Sequence, residues 1–237
     1  MKKWQLLILS AIAFTTNEVY AQQMNIVQPT MTPRQAVEDV LLAAGINAFN
    51  ITYNGTAAGS NQVQPGVKRF VNSGPNFPVS EGILMHTNGA SSVAGDPDLN
   101  AIALGPNNPT NGSIIEFDFV PSGDTLSFNY IFASNEYASY TCGCYNDVFG
   151  FFISGPGING PYSNNSVNIA TIPNSANTPV GINTVNSGVA GVFGNPMNCS
   201  NANPNWVADA IYYTTSYVPI FNAAGSPMSD YSGGTVL

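Results

Sequence analysis

The sequence predicts a mainly β protein, an antiparallel β-sandwich of jelly-roll type with one short N-terminal helix. Three observations carry this. Apolar and polar residues alternate in many short runs, the mark of strands with one buried face. Pro-Asn, Asn-Gly and Gly-Pro pairs punctuate the gaps between the runs. Only one segment shows helical spacing. Hydrophobic residues make up 44% of the 237 and charged ones only 8%, so the chain has material for a core and must build its surface from Asn, Ser, Thr and Gly.

Residues 1–21 read as an export leader. Lys2 and Lys3 precede an apolar run from Leu6 to Phe14, and Val19-Tyr20-Ala21 has the small-residue ending that a signal peptidase prefers. The run is far below the roughly 20 residues a membrane-spanning helix needs, so the expectation is a secreted or cell-surface protein with no membrane span in this region. Past the leader the cations are Arg34, Lys68 and Arg69, and the whole chain carries a formal charge of −8. That excess of acid argues against a nucleic-acid partner, because affinity for phosphate backbones comes from Lys and Arg.

Residues 22–48 are expected to hold a polar lead and the helix. Thr32-Pro33-Arg34-Gln35 has the capping-box pattern with Pro at the first helical position. Ala36, Val37, Val40, Leu41 and Ala44 follow at helical spacing and Gly45 supplies a stop, which predicts a helix over 33–44 with its Val-Leu stripe on the domain. Residues 49–237 are expected to form the sandwich domain, incomplete at its C-terminus. Strands are predicted at 49–53, 67–72, 82–87, 113–120, 125–133, 148–154, 167–172, 210–217 and from Thr235. The segment 120–125, Val-Pro-Ser-Gly-Asp-Thr, reads as a hairpin connection, and Phe128, Tyr130 and Phe132 share the core face of the following strand. Residues 174–204 read as long loops around one weak strand.

Between two aromatic runs lies Ser-Asn-Glu-Tyr-Ala-Ser-Tyr-Thr-Cys-Gly-Cys-Tyr-Asn-Asp, residues 134–147. Cys142 and Cys144 are too close in sequence for an unstrained bridge, so one of them is expected to bond Cys199 and the other to await a cysteine past Leu237. With no cation or helix N-terminus predicted beside the thiols, a redox Cys-x-Cys is disfavoured. The chain's single histidine, His86, lies in a strand-like run and gives zinc little support.

Calcium suits the oxygen donors this sequence holds. One candidate site is Glu136, Asn146 and Asp147, at strand ends that a disulfide would draw together. The other is Asp96, Asp98 and Asn100, whose alternating spacing resembles a calcium loop but lacks the Gly and Glu of an EF-hand, where Ala101 and Asn107 stand. Against both stands the plainer account that these acids cap turns. Glu116 and Asp118 alternate with Ile115, Phe117 and Phe119, so a solvated strand face explains them better than a glycosidase pair.

The block Ile115 to Tyr137, with Asn146 to Ile158, resembles the choice-of-anchor L domain of secreted bacterial surface proteins. The likeness extends from the Thr32-Pro33 helix through Ser80–Leu84 and Asn168–Pro173 to Tyr231. It implies a module of large exported proteins, common among Bacteroidetes, displayed by a C-terminal type IX secretion signal or another anchor. It also implies a further cysteine and further strands, and it supplies no catalytic residues. Asn135 departs from the family, which more often has an acid there. The expected function is therefore cell-surface binding or adhesion without catalysis, toward an extracellular glycan or protein. The alternatives are a carbohydrate-binding module, using Tyr140, Tyr145, Trp206, Tyr212 and Tyr213, or a secreted polysaccharide hydrolase.

Overall fold

A computed structural model describes residues 24–42, 46–72, 79–87, 95–105, 107, 109–126, 128–134, 136–214, 220–221 and 234–236. The leader, the Gly45 stop, Asn135 and the Tyr231 turn lie outside these. In chain order the strands are β1 (Met24–Gln28), β2 (Ala48–Tyr53), β3 (Val67–Asn72), β4 (Glu81–Met85), β5 (Ile115–Phe119), β6 (Ile131–Ala133), β7 (Val148–Phe149), β8 (Phe152–Ile153), β9 (Val167–Asn168), β10 (Val180–Gly181), β11 (Tyr213–Thr214), β12 (Ile220–Phe221) and β13 (Gly234–Val236). The α-helices are α1 (Pro33–Ala36), α2 (Ala57–Ser60), α3 (Pro97–Ala103), α4 (Tyr137–Tyr140) and α5 (Pro196–Ala202). The protein is mainly β, in small sheets whose pairs are antiparallel except for β1 with β12.

The N-terminal sheet runs β12-β1-β3-β4. Its strand β1 falls where a polar lead was expected. Met-Asn-Ile-Val-Gln is short and breaks apolar–polar alternation at Val27, but pairing with β3 in the register Met24 to Asn72 satisfies its backbone, and Ile26 is buried. The helix begins as predicted. Thr32 Oγ1 accepts from Gln35 N at 3.1 Å while Gln35 Oε1 accepts from Thr32 N at 3.0 Å. The α-helical part ends at Ala36 and continues as a π-helical turn, Val37–Leu41. Ala36, with Val40 alongside, packs into a core of Met31, Tyr53 and Val67, and Val37 is fully buried, whereas Leu41 is exposed. Thr32→Ala is expected to cost about 1 kcal/mol, read as a lower urea midpoint.

The expected hairpin does not form. The 120–125 segment leaves β5, which pairs with β2, and leads to β6, which pairs with β13. Alternation made β5 legible, but of the strand expected over 125–133 only Ile131–Ala133 pairs as β6, and the pattern carried no information on partners. Thr52 Oγ1 donates to Glu116 Oε2 at 3.0 Å and Asn50 Nδ2 to Asp118 Oδ2 at 2.7 Å, so both acids belong to an exposed ladder. The aromatic face is as predicted: Phe128 stacks on Phe151 at 3.8 Å and Tyr130 on Phe149 at 4.8 Å, with Phe132 buried beside Tyr137. The run 210–217 is a second departure, because residues Ala208–Tyr212 form a 3-10 helix and β11 begins only at Tyr213.

Residues 174–204, read as loops around one weak strand, do carry one short strand, β10, but within them lies a segment, 179–186, that is buried throughout. Val180, Ile182, Asn183, Thr184, Val185, Asn186 and Cys199 have no exposed surface. Here amides, not alternating apolar residues, build the interior. Asn183 Nδ2 donates to Gly143 O, Asn186 Nδ2 to Ile182 O and Asn203 Nδ2 to Thr184 O, at 3.2, 2.8 and 2.9 Å. Each side chain satisfies a backbone carbonyl that a regular ladder would otherwise have to pair. Helix α5 was not foreseen, although Asn195-Pro196 starts it in the usual way, with Asn195 Oδ1 accepting from Met197 N.

Candidate functional site: the disulfide-pinned connection

The connection from β6 to β7 is short of apolar residues and rich in turn formers, so it leaves the sheet as helix α4 and then turns sharply. Cys142 adopts φ +63°, a left-handed conformation. Gly143 follows because a Cβ there would lie 2.6 Å from Tyr140 O. Cys142 bonds Cys199, 57 residues on, and Cys144 is an exposed thiol. Of the alternatives left open by sequence, this is the bridge that forms.

The disulfide is one of several clasps. Phe193 N donates to Ser139 O, Gly191 N to Thr141 O and Asn195 N to Cys142 O, all at 2.8–2.9 Å. Asn198 Nδ2 reaches Cys142 O and Gly143 O at 3.0 and 3.1 Å. Gly191 and Gly194 allow this approach, since a Cβ on them would stand 2.5 and 2.0 Å from Ser139 O and Thr141 O. Trp206, one of the five rings that a carbohydrate-binding module would use, is instead buried on the disulfide, its indole donating to Ser200 Oγ. Tyr213 is also packed, edge-on to Tyr137 at 5.0 Å, while Tyr212 donates its hydroxyl to Pro173 O. Tyr140 and Tyr145 are exposed, and so is Phe193, whose ring lies 5.2 Å from that of Tyr140. Sequence reading passed over Phe193, although an aromatic residue between two glycines in an uncharged loop was the available signal.

The structure brings together Glu136 and Asp147 from the predicted cation set. Ser134 Oγ donates to Asp147 Oδ2 at 2.6 Å and accepts from Glu136 N at 3.0 Å. Burial, and then the charge of Asp147, push the Glu136 carboxyl above its ordinary range. Glu136 Oε2 is buried and makes no hydrogen bond. Burial likewise pushes the neighbouring-strand phenol of Tyr130 up to about 12. Asn146 faces elsewhere: its amide donates to Ala103 O and accepts from Asn183 N, which ties the connection to α3 and to the amide core.

Asp96, Asp98 and Asn100 do not form a loop. Asp96 caps α3 by accepting from Leu99 N, Pro97 occupies the first turn, and Asp98 Oδ1 accepts from Ser163 N and Oγ. Asp-Pro is as good a helix start as it is a calcium-loop fragment, and the helix prevailed. Among the described residues, no three His, Cys, Asp or Glu side chains group as metal ligands.

The folded Glu136 holds its proton more tightly than the unfolded chain does. Its contribution to stability is therefore complete below the ordinary glutamate value and is lost as pH rises through the raised one. The expected result is a difference in melting temperature between wild type and Glu136→Gln that moves against wild type as pH is raised above about 4.5 without added metal. A difference flat with pH would remove Glu136 from the account.

The connection thus carries two carboxylates, Glu136 and Asp147, linked through Ser134, and the exposed rings of Tyr140 and Tyr145. The sequence profile of the choice-of-anchor L domain matches residues 25–237. No curated protein matches the chain, and no solved structure does. Because the match covers nearly all of the chain, including the β5–β7 block and the disulfide-pinned connection, the protein belongs to the choice-of-anchor L domain family.

Proposed function

We propose that this domain is the ligand-binding module of an exported protein, that an anchor outside the domain holds it at the cell surface, and that it acts in adhesion without turnover. The family match over residues 25–237 carries the reading, since the family is one of surface-associated modules and not of enzymes. The Cys142–Cys199 bridge fits an oxidising compartment, and residues 1–21 have the composition of a cleaved leader. Among the described residues, no helix is long and apolar enough to cross a membrane. The test is protease shaving of intact source cells with mass spectrometry of the released peptides. Peptides from this domain and a mature N-terminus at Gln22 are expected; a chain retained inside the cell with Met1 in place would sink the reading.

Calcium at Glu136 and Asp147 is the cofactor proposed with it. The support is the unpartnered Glu136 Oε2 beside a second carboxylate whose charge it feels, a repulsion that a cation would relieve. Melting in EDTA against excess calcium is expected to show a loss in EDTA that Glu136→Gln abolishes. A melting temperature indifferent to both additions counts against the ion.

A further inference from the structure

We infer that the paired rings of Tyr140 and Phe193 form a docking platform for a neutral glycan; the inference deepens the surface-binding reading and rests on it. Tyr140 is 41% and Phe193 66% exposed, although their rings touch at 5.2 Å with planes 31° apart. Exposed rings in direct contact leave open faces, and no strand or helix among the described residues covers them. They are also held in place. Phe193 hangs from a loop whose glycines press against the backbone of 139–141, and the bonds from Phe193 N and Gly191 N, with the nearby disulfide, clamp that loop to α4. A platform fixed before the ligand arrives spends little binding energy on ordering itself.

The surroundings select the ligand. Residues 137–146 and 148–208 contain no Asp, Glu, Lys, Arg or His, so both rings sit in uncharged stretches, with Glu136 and Asp147 at the two ends of the connection that carries Tyr140. Lys and Arg are absent from residue 70 onward, which disfavours uronate-rich or sulfated glycans, for they require cations. Specific protein contacts draw on charge complementarity across the interface, which the uncharged stretches around the rings do not supply. A hexopyranose offers what these loops can use. Its C–H face lies against the electron-rich face of a ring, and its hydroxyls find amides such as exposed Asn195, two residues from Phe193. Val192, next in sequence to Phe193, is exposed as well.

The test is affinity electrophoresis of the native chain in gels containing a β-glucan, a mannan, a galactan or an arabinoxylan, with alginate and polygalacturonate as acidic controls. Retardation by at least one neutral polysaccharide and by neither acidic one is expected. Tyr140→Ala and Phe193→Ala should each weaken it about tenfold, Phe193→Tyr should retain it, and all three should melt as wild type does because the rings are exposed. No retardation in any neutral gel, or retardation that survives both alanine variants, would overturn the proposal. Concentration-dependent self-association that Phe193→Ala abolishes, without glycan binding, assigns the patch to protein contact and also overturns it. None of these outcomes alters the cell-shaving result, so the platform can fail while surface display stands.

Discussion

Cys199→Ala is expected to lower stability by about 4 kcal/mol, the chain-entropy value for releasing a loop of this length, since the bridge joins residues 57 apart. The damage should not stop at entropy. The bridge is packed among Ala190 and Trp206, so its loss opens a cavity at the point where the 139–143 and 191–199 backbones are joined. Urea unfolding under oxidising conditions gives the measurement. Cys144→Ala is the control: its thiol is exposed and outside the bridge, and the expected change is within about 0.5 kcal/mol. Equal losses for the two variants would mean that the pairing is wrong. Reduction of the wild type should reproduce the Cys199→Ala loss, and any retardation by a neutral polysaccharide on the proposed platform should then be lost as well, because Tyr140 and Phe193 stand on the two segments that the bridge and its neighbouring hydrogen bonds join.

Asn146→Ala is expected to cost about 3 kcal/mol, because it leaves the buried Ala103 O and Asn183 N without partners. Asn146 is 5% exposed, and its two amide atoms serve those two backbone groups. Asn146→Asp separates geometry from chemistry. The carboxylate can still accept from Asn183 N but cannot donate to Ala103 O, so this variant should be unstable at neutral pH and partly rescued in acid, where a protonated carboxyl donates again. If the contribution of Asn146 came only through a bound cation, Asn146→Ala would cost nothing in EDTA. A loss of full size in EDTA is expected.

Both variants concern a region that reads as loop in the sequence. Strand prediction depends on apolar alternation, and it worked for the longer strands: β2, β3, β4 and β5 fall within a residue or two of their expected positions. It failed where burial is achieved by amides. Asn183, Thr184 and Asn186 have the composition of a surface loop and are fully buried, because their side chains bond carbonyls: Asn183 reaches Gly143 O, 40 residues away, while Thr184 and Asn186 bond carbonyls three to five residues back. Such pairing has no period. The Thr32 capping box was legible to the atom, since its bonds lie within four residues, and Asp96-Pro97 shows the limit of that approach, where one local pattern fitted both a helix start and a calcium loop.

The site was half legible. The stretch 134–147 stood out because acids, amides and thiols interrupt aromatic runs, and Glu136 and Asp147 do meet. What faces them did not show. The choice of Cys142 over Cys144 follows from the turn at Gly143, and the burial of Trp206 follows from its place against the bridge. Phe193 reaches Tyr140 only because two glycines permit the backbones to touch.

Sequence by itself determined the class of this protein: a mainly β, acidic, cation-poor chain with a capped N-terminal helix, an aromatic strand face and the motif block of its family. These are properties of composition and of neighbours within a few residues, where spacing alone sets which side chains share a face. Tertiary structure decided the partners. It paired β5 with β2 and β6 with β13, chose the disulfide, turned an amide-rich loop into core and set two rings side by side in water. Each of these depends on contacts between residues tens of positions apart, whose free energy arises only when the rest of the fold has already brought the two segments together.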